Sequence, residues 1–243
     1  MSFKHEFLEV YADLSKVSDT ILLVGGWVPV VYFEYLWREK QAFLKTVDID
    51  FALTKPITDT AKFYEIFNSR RYSRRHLRLG KEHPYQLLFH GKTPVDFLTD
   101  NHTSNAVKNK LIGGEVILNT VGNYHFLVTE FISVNCSGLN VRVPRASRYI
   151  SHKLAVYLAN PIQRKKDIAA VYFILSRSPQ QQLILEELKM LKNEKIIRAN
   201  QKKIATICKN KSAKAVMDVK EALKLGGMDE DSLDVYEVLS KLL

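Results

Sequence analysis

Residues 44–53 read LKTVDIDFAL, a run with the apolar content of a buried strand into which two carboxylates, Asp48 and Asp50, are set. In a strand the side chains at i and i+2 share a face, so these aspartates stand side by side while Val47, Ile49 and Phe51 face the other way. Two adjacent carboxylates repel unless a cation lies between them. Mg²⁺, or Mn²⁺ in its place, suits such a pair, because it takes hard oxygen ligands and is held by one or two carboxylates together with substrate phosphates. Taken alone, a D-x-D pair is more often the exposed face or end of an edge strand. Its neighbours along the chain decide between the two.

Upstream, residues 21–27 read ILLVGGW, an apolar strand running into Gly25 and Gly26 and then into a helical pattern from Trp27 to about Arg38. Glycines let a ligand approach the backbone, and a helix N-terminus offers N–H groups and partial positive charge, the arrangement that receives a phosphate. The plainer alternative is a tight turn between strand and helix. No GKS or GKT follows, so this is not a P-loop. Downstream, in PVDFL, Asp96 interrupts an apolar strand as Asp48 and Asp50 do. Three aspartates on neighbouring strands can hold two metal ions, one activating an attacking hydroxyl and the other neutralising a triphosphate. Asp96 would bridge a metal or act as base for the acceptor hydroxyl. Asp100 competes for that role, and an exposed strand residue near a turn is the bland reading.

Around these stretches the periodicity predicts a helix from about Phe3 to Val17, strands at ILLV and VDIDFAL, and a helix over TDTAKFYEIFNSRR. Strands follow at RHLRLG, YQLLFHG and TPVDFLT, the last two joined as a hairpin by a Gly-Lys turn. YHFLVTEFISV and LNVRV read as further strands with SGLN as the turn. From Ala146 onward the pattern is helical, with Pro161 and Pro179 at helix starts. The expected class is α/β (α+β), with a boundary near Arg145 separating a mixed-sheet domain, 1–145, from about five helices forming a bundle, 146–243.

The 243 residues are 46% hydrophobic, enough for a sizeable core, and carry a formal charge of +10, with a pI near 9.4. That balance favours phosphate-bearing partners over cationic ones. Cys136 and Cys208 stand far apart outside any Cys/His cluster, which speaks against a disulfide framework or a zinc site and for a reducing, cytoplasmic setting. The N-terminus lacks the apolar core of a signal peptide, and Gly25, Gly26, Pro29 and Glu34 interrupt the run Ile21 to Trp37, so no membrane association is expected.

Together, Gly25-Gly26, a helix, T-x-D-I-D from Thr46 to Asp50 and V-D-F-L around Asp96 resemble the nucleotidyltransferase superfamily with a DNA polymerase β type core. The closest resemblance is to the AbiEii-like branch, many of whose members are toxins of toxin-antitoxin systems. SHKLAVYLANPIQRKKDIAAVYFIL is similar to that branch's lysine-bearing helix and the helix after it, with Lys153 matching the lysine expected on nucleotide phosphate and Asp167 the last-motif aspartate. The resemblance covers about Ile21 to Leu175. It implies a nucleotidyltransferase-type mixed sheet with flanking helices and a C-terminal helical bundle. It also implies a nucleoside triphosphate as substrate with its phosphates near Gly25, Gly26 and Lys153, and Mg²⁺ on Asp48, Asp50 and Asp96. The chain departs from relatives at Trp27, where many have a hydroxyl residue, and at Ala170, where many have a second aspartate.

The densest basic stretch runs from Arg70 to Lys81, with Arg71, Arg74, Arg75 and Arg78 between them and Tyr72 and His76 interleaved. Beside a metal site it could guide an RNA or DNA backbone while an aromatic stacks on an unpaired base. A solvated helix end is the alternative. Lys189 to Lys214 reads as the outside of a bundle helix, His152 as a surface or capping residue, and Tyr32, Phe33, Tyr35 and Trp37 as packing of the first domain. The expected reaction moves a nucleoside monophosphate to a hydroxyl of RNA, perhaps of a tRNA end, or of a protein, with an antitoxin protein as a partner. Two other classes stay open, an antibiotic-type small-molecule nucleotidyltransferase and a non-catalytic nucleic-acid or partner-binding module.

Overall fold

The computed structural model describes residues 6–39, 46–76, 85–112, 114–191 and 203–242. Two compact units emerge, one from the residues up to Leu36 with Thr46–Pro144, the other from Arg145 onward with the segment that starts at Trp37.

The first unit opens with α1 (Glu6–Leu14) and β1 (Ile21–Val24). The expected single helix after the glycines is instead a 3₁₀ turn (Gly25–Trp27), one α-helical turn, α2 (Val28–Val30), and a π-helical stretch (Val31–Leu36). There follow β2 (Ile49–Leu53), α3 (Thr60–Phe67), β3 (Tyr72–His76), β4 (Tyr85–Phe89), β5 (Thr93–Asp100), α4 (Asn105–Ile112), β6 (Leu118–Val121), α5 (His125–Val128), β7 (Phe131–Cys136) and β8 (Leu139–Pro144). The main sheet has the order β1-β2-β5-β4-β3. β2 and β5 run parallel, β1–β2, β5–β4 and β4–β3 antiparallel, and β6 pairs in parallel with the C-terminal half of β5. The class is therefore mixed α/β, with a mixed sheet and helices after it.

Alternation along β2 and β5 divides the sheet into two faces. Phe51 lies opposite Phe97, and both are fully buried. On them sit Phe63 and Phe67 of α3, with ring centroids 5.9 and 6.3 Å from Phe97, and Tyr11 of α1, 6.2 Å from Phe51. This aromatic layer makes one face the core and consigns Asp50 and Asp96 to the other. α3 starts where Asp59 accepts a hydrogen bond from the Lys62 amide at 2.9 Å, an N-cap.

Several local expectations change. Val47 is more than half exposed and the strand starts only at Ile49, so the buried set on that side is Ile49 and Phe51. The strand expected at RHLRLG lies earlier, at Tyr72–His76, and residues 77–80 fall outside the described residues. YHFLVTEFISV is not one strand. Phe126 and Leu127 are buried in a helical turn, α5, and Tyr124 anchors that turn by donating to the Leu53 carbonyl at 2.8 Å. Both hairpins form as expected. His90 and Gly91 have φ of 48° and 72° in one turn, Ser137 and Gly138 have 53° and 91° in the other, the left-handed pairs that match strand twist.

The second unit contains α6 (Ala146–Ala159), α7 (Lys165–Arg177), α8 (Gln181–Leu191) and helices over Lys214–Leu225 and Ser232–Ser240. α7 is buried continuously from Asp167 to Leu175, as a central helix must be, and packs against α6, α8 and Lys214–Leu225. Pro161 and Pro179 precede α7 and α8 in the connecting turns instead of opening them. His152 is buried, not a surface residue. Tyr32 and Phe33 are buried in the first unit, whereas Trp37 groups with the second. Cys136 and Cys208 are free and buried, and burial pushes each thiol up to about 12. No helix among the described residues is long and apolar enough to cross a membrane.

Candidate active site

Parallel pairing of β2 with β5 places Asp50 directly opposite Asp96. Asp48, two residues before Asp50, shares its face. The three offer carboxylate oxygens that all lie within 4.8 Å of one another, and each side chain is half-buried. Asp100 is not part of this cluster. At the far end of β5 its carboxylate accepts from the His102 amide at 2.8 Å, a turn role.

The glycines are explained by the same strands. Antiparallel pairing puts Val24 opposite Asp50, so the chain emerging from β1 passes directly over that carboxylate. A Cβ on Gly25 would lie 1.9 Å from the Asp50 Oδ2, and Gly25 has φ +71°, which favours glycine independently. A Cβ on Gly26 would lie 2.5 Å from the Thr46 Oγ1. Thr46 in turn donates to the Asp48 Oδ1 at 3.0 Å. The Gly-Gly pair and T-x-D-I-D are therefore one packed unit. Trp27 is buried and stacks on Phe7 at 4.9 Å, so the position where relatives place a hydroxyl belongs here to the core.

Burial raises the Asp96 carboxyl above its usual range, opposed by a hydrogen bond from Gln86 and assisted by the negative charge of Asp48; Arg75 acts in the lowering direction. The Gln86 Nε2 donates to the Asp96 Oδ1 at 2.6 Å, and Asn119 on β6 approaches the same oxygen at 3.4 Å. Thr46 opens the T-x-D-I-D motif, but no motif singles out Gln86 or Asn119. Gln86 and Asn119 are ordinary polar residues in the sequence, and only strand pairing brings them to Asp96.

Lys153 and Asp167 belong to the second unit, where α6 and α7 bring them together in an ion pair of 2.6 Å. Lys153 also stands over the Tyr149 ring at 5.4 Å. The basic stretch is divided in its uses. Arg71 binds the buried Asp13 at 2.8 Å, and Tyr72, itself buried, donates to Asp13 at 2.8 Å, so this aromatic is spent on the fold and not open to a base. Arg74 lies 4.5 Å over the Tyr85 ring. Arg70, Arg74, Arg75 and His76 are exposed, and Arg78 and Lys81 lie outside the described residues.

A mixed sheet that gathers three carboxylates beside a Gly-Gly turn is the architecture of enzymes that move nucleotidyl groups. Residues 3–193 match the family described as Nucleotidyltransferase, and the chain belongs to that family. Its activity class is nucleotidyl transfer with a nucleoside triphosphate as donor. Asp48, Asp50, Asp96, Gly25, Gly26, Lys153 and Asp167 all fall inside the matched span, whereas the helices over Lys214–Leu225 and Ser232–Ser240 fall beyond it. No curated protein and no solved structure matches the chain.

Proposed function

We propose that the chain transfers a nucleoside monophosphate from a nucleoside triphosphate to an acceptor hydroxyl of RNA, in a reaction that depends on a divalent cation. The observation that carries this is the Asp48, Asp50 and Asp96 cluster, with oxygens within 4.8 Å, packed against Gly25 and Gly26. Its donors are all hard oxygens, which fit Mg²⁺ or Mn²⁺, and the three aspartates would hold the ion. When bound, the ion neutralises triphosphate charge and activates the attacking oxygen. The chain's own residues bind and position. Gly25 and Gly26 admit the phosphates close to the backbone. Asp96, whose proton affinity is raised, takes the proton of the acceptor hydroxyl. The oxygen then bonds to the α-phosphorus, the bond to the bridging oxygen breaks, and pyrophosphate leaves.

The formal charge of +10 and the exposed Arg70, Arg74 and Arg75 support a polyanionic acceptor over a cationic antibiotic. Residues 1–145 would form the catalytic domain and 146–243 the helical domain that bears Lys153. The order of motifs supports placement in the AbiEii-like branch, as a cytoplasmic toxin restrained by an antitoxin protein.

Incubation of the protein with labelled triphosphates, Mg²⁺ and total RNA tests this. Label on RNA that disappears with Asp48→Ala supports it, whereas label on protein alone replaces the acceptor. If wild type labels nothing and Asp48→Ala leaves nucleotide affinity unchanged, the chain is a binding module and the enzymatic reading fails.

A further inference from the structure

One transverse row crosses four strands of the sheet. Asp50 on β2 pairs with Asp96 on β5, and Arg75 on β3 pairs with Gln86 on β4. The β4–β5 register, in which Leu87 faces Val95, brings Gln86 opposite Asp96 one step further on, where the 2.6 Å hydrogen bond joins them. The row thus reads carboxylate, carboxylate, amide, guanidinium from the middle of the sheet to its edge.

We propose that Gln86, locked by Arg75, is the positioning residue that orients the Asp96 carboxylate. An amide can sit in either of two flipped orientations, and its neighbours choose. The Arg75 guanidinium only donates, and it donates to the Gln86 Oε1. Asp96 as a carboxylate only accepts, and it receives the Nε2. Flipping the amide would set donor against donor and acceptor against acceptor, so one orientation holds. Gln86 is only 8% exposed, and water does not readily substitute for it. Asn119 reaches the same oxygen, Oδ1, so both donors hold the carboxylate by one of its oxygens. A neutral donor also holds the carboxylate without cancelling the charge that a cation needs. An arginine in direct contact would cancel it, and here the guanidinium stands one residue away. Second-layer contacts of this kind commonly change metal affinity 10–100-fold.

This rests on the metal reading of the aspartate cluster, and the test separates the two. Mn²⁺ is titrated into the protein and followed by EPR, with thermal unfolding of the metal-free protein measured alongside. Gln86→Leu, close in size but without a donor, is expected to bind Mn²⁺ roughly 10–100-fold more weakly at an unfolding temperature close to wild type. Arg75→Ala, at an exposed position, is expected to weaken Mn²⁺ in the same direction by less, and Arg75→Lys to restore part of the loss. Wild-type affinity in both Gln86→Leu and Arg75→Ala overturns the role of Gln86 while the metal site stands. If wild type binds no Mn²⁺, or Asp50→Asn binds it equally well, the metal reading falls and the inference with it.

Discussion

Gly25 has no room for a methyl group. Its φ of +71° costs an alanine roughly 1–2 kcal/mol, and the methyl would overlap the Asp50 Oδ2 at 1.9 Å. Gly25→Ala is therefore expected to lose at least that much stability in chemical denaturation and to displace Asp50, with nucleotidyl transfer falling below detection. Asp96 gives a prediction in pH. Its carboxyl is raised above 3.8 in the folded protein, so between 3.8 and the raised value the native state holds more protons than the unfolded chain. Stability without metal then falls as pH rises through that window. Asp96→Asn cannot ionise and can still accept from Gln86. It should be more stable than wild type at neutral pH, and the difference should vanish below the window, as urea unfolding across pH will show. Its transfer activity should be lost.

Two pairings between elements separate structural charges from functional ones. At the sheet edge, burial alone would raise the Asp13 carboxyl, but hydrogen bonds from Lys16, Tyr72 and Arg71 outweigh it and hold the group below its usual range. The stability this confers is present above 3.8 and is lost as pH falls through the lowered value. Arg71 thus ties β3 to α1. Arg71→Ala is expected to destabilise the fold by about 1–3 kcal/mol. The exposed Arg70→Ala should leave the unfolding temperature unchanged and, if the edge carries RNA, weaken RNA binding and flatten its salt dependence. Between α6 and α7, the Lys153 and Asp167 side chains are only 15% and 10% exposed at 2.6 Å. Removing one partner strands the other's charge, so Lys153→Met and Asp167→Leu should each destabilise by about 1–3 kcal/mol. The double variant should lose less than the sum, measured by a double-mutant cycle in urea.

Cation binding links the site to the stability of the whole chain. A ligand that binds only the native state stabilises it by about 2.7 kcal/mol at 100 times its Kd. Mn²⁺ should raise the unfolding temperature of wild type and leave that of Asp50→Asn unmoved. How much of this could be read from the chain varies with the range of the interactions. D-I-D, Gly-Gly and V-D-F were legible because i and i+2 share a strand face and because a glycine pair interrupts an apolar run, both local properties. The core face at Phe51 followed from the same alternation. α4 and β6 were not anticipated: residues 101–110 are largely polar, and among the described residues from Asn101 to Gly122 only Leu111, Ile112 and Val116 are buried. Tyr72 looked like a base-stacking residue until α1 supplied Asp13. Gln86 in YQLLFHG was not legible, because the Gly-Lys turn expected from the sequence pairs Leu87 with Asp96, and only the three-residue loop from His90 to Lys92, which sets Phe89 opposite Thr93, brings Gln86 to Asp96. The sequence by itself determined which residues carry charge on which face of each strand, since that depends on a repeat of two. Which of those faces meet was decided by folding, because the parallel neighbour of β2 comes from more than forty residues away and its register depends on packing that no local repeat encodes.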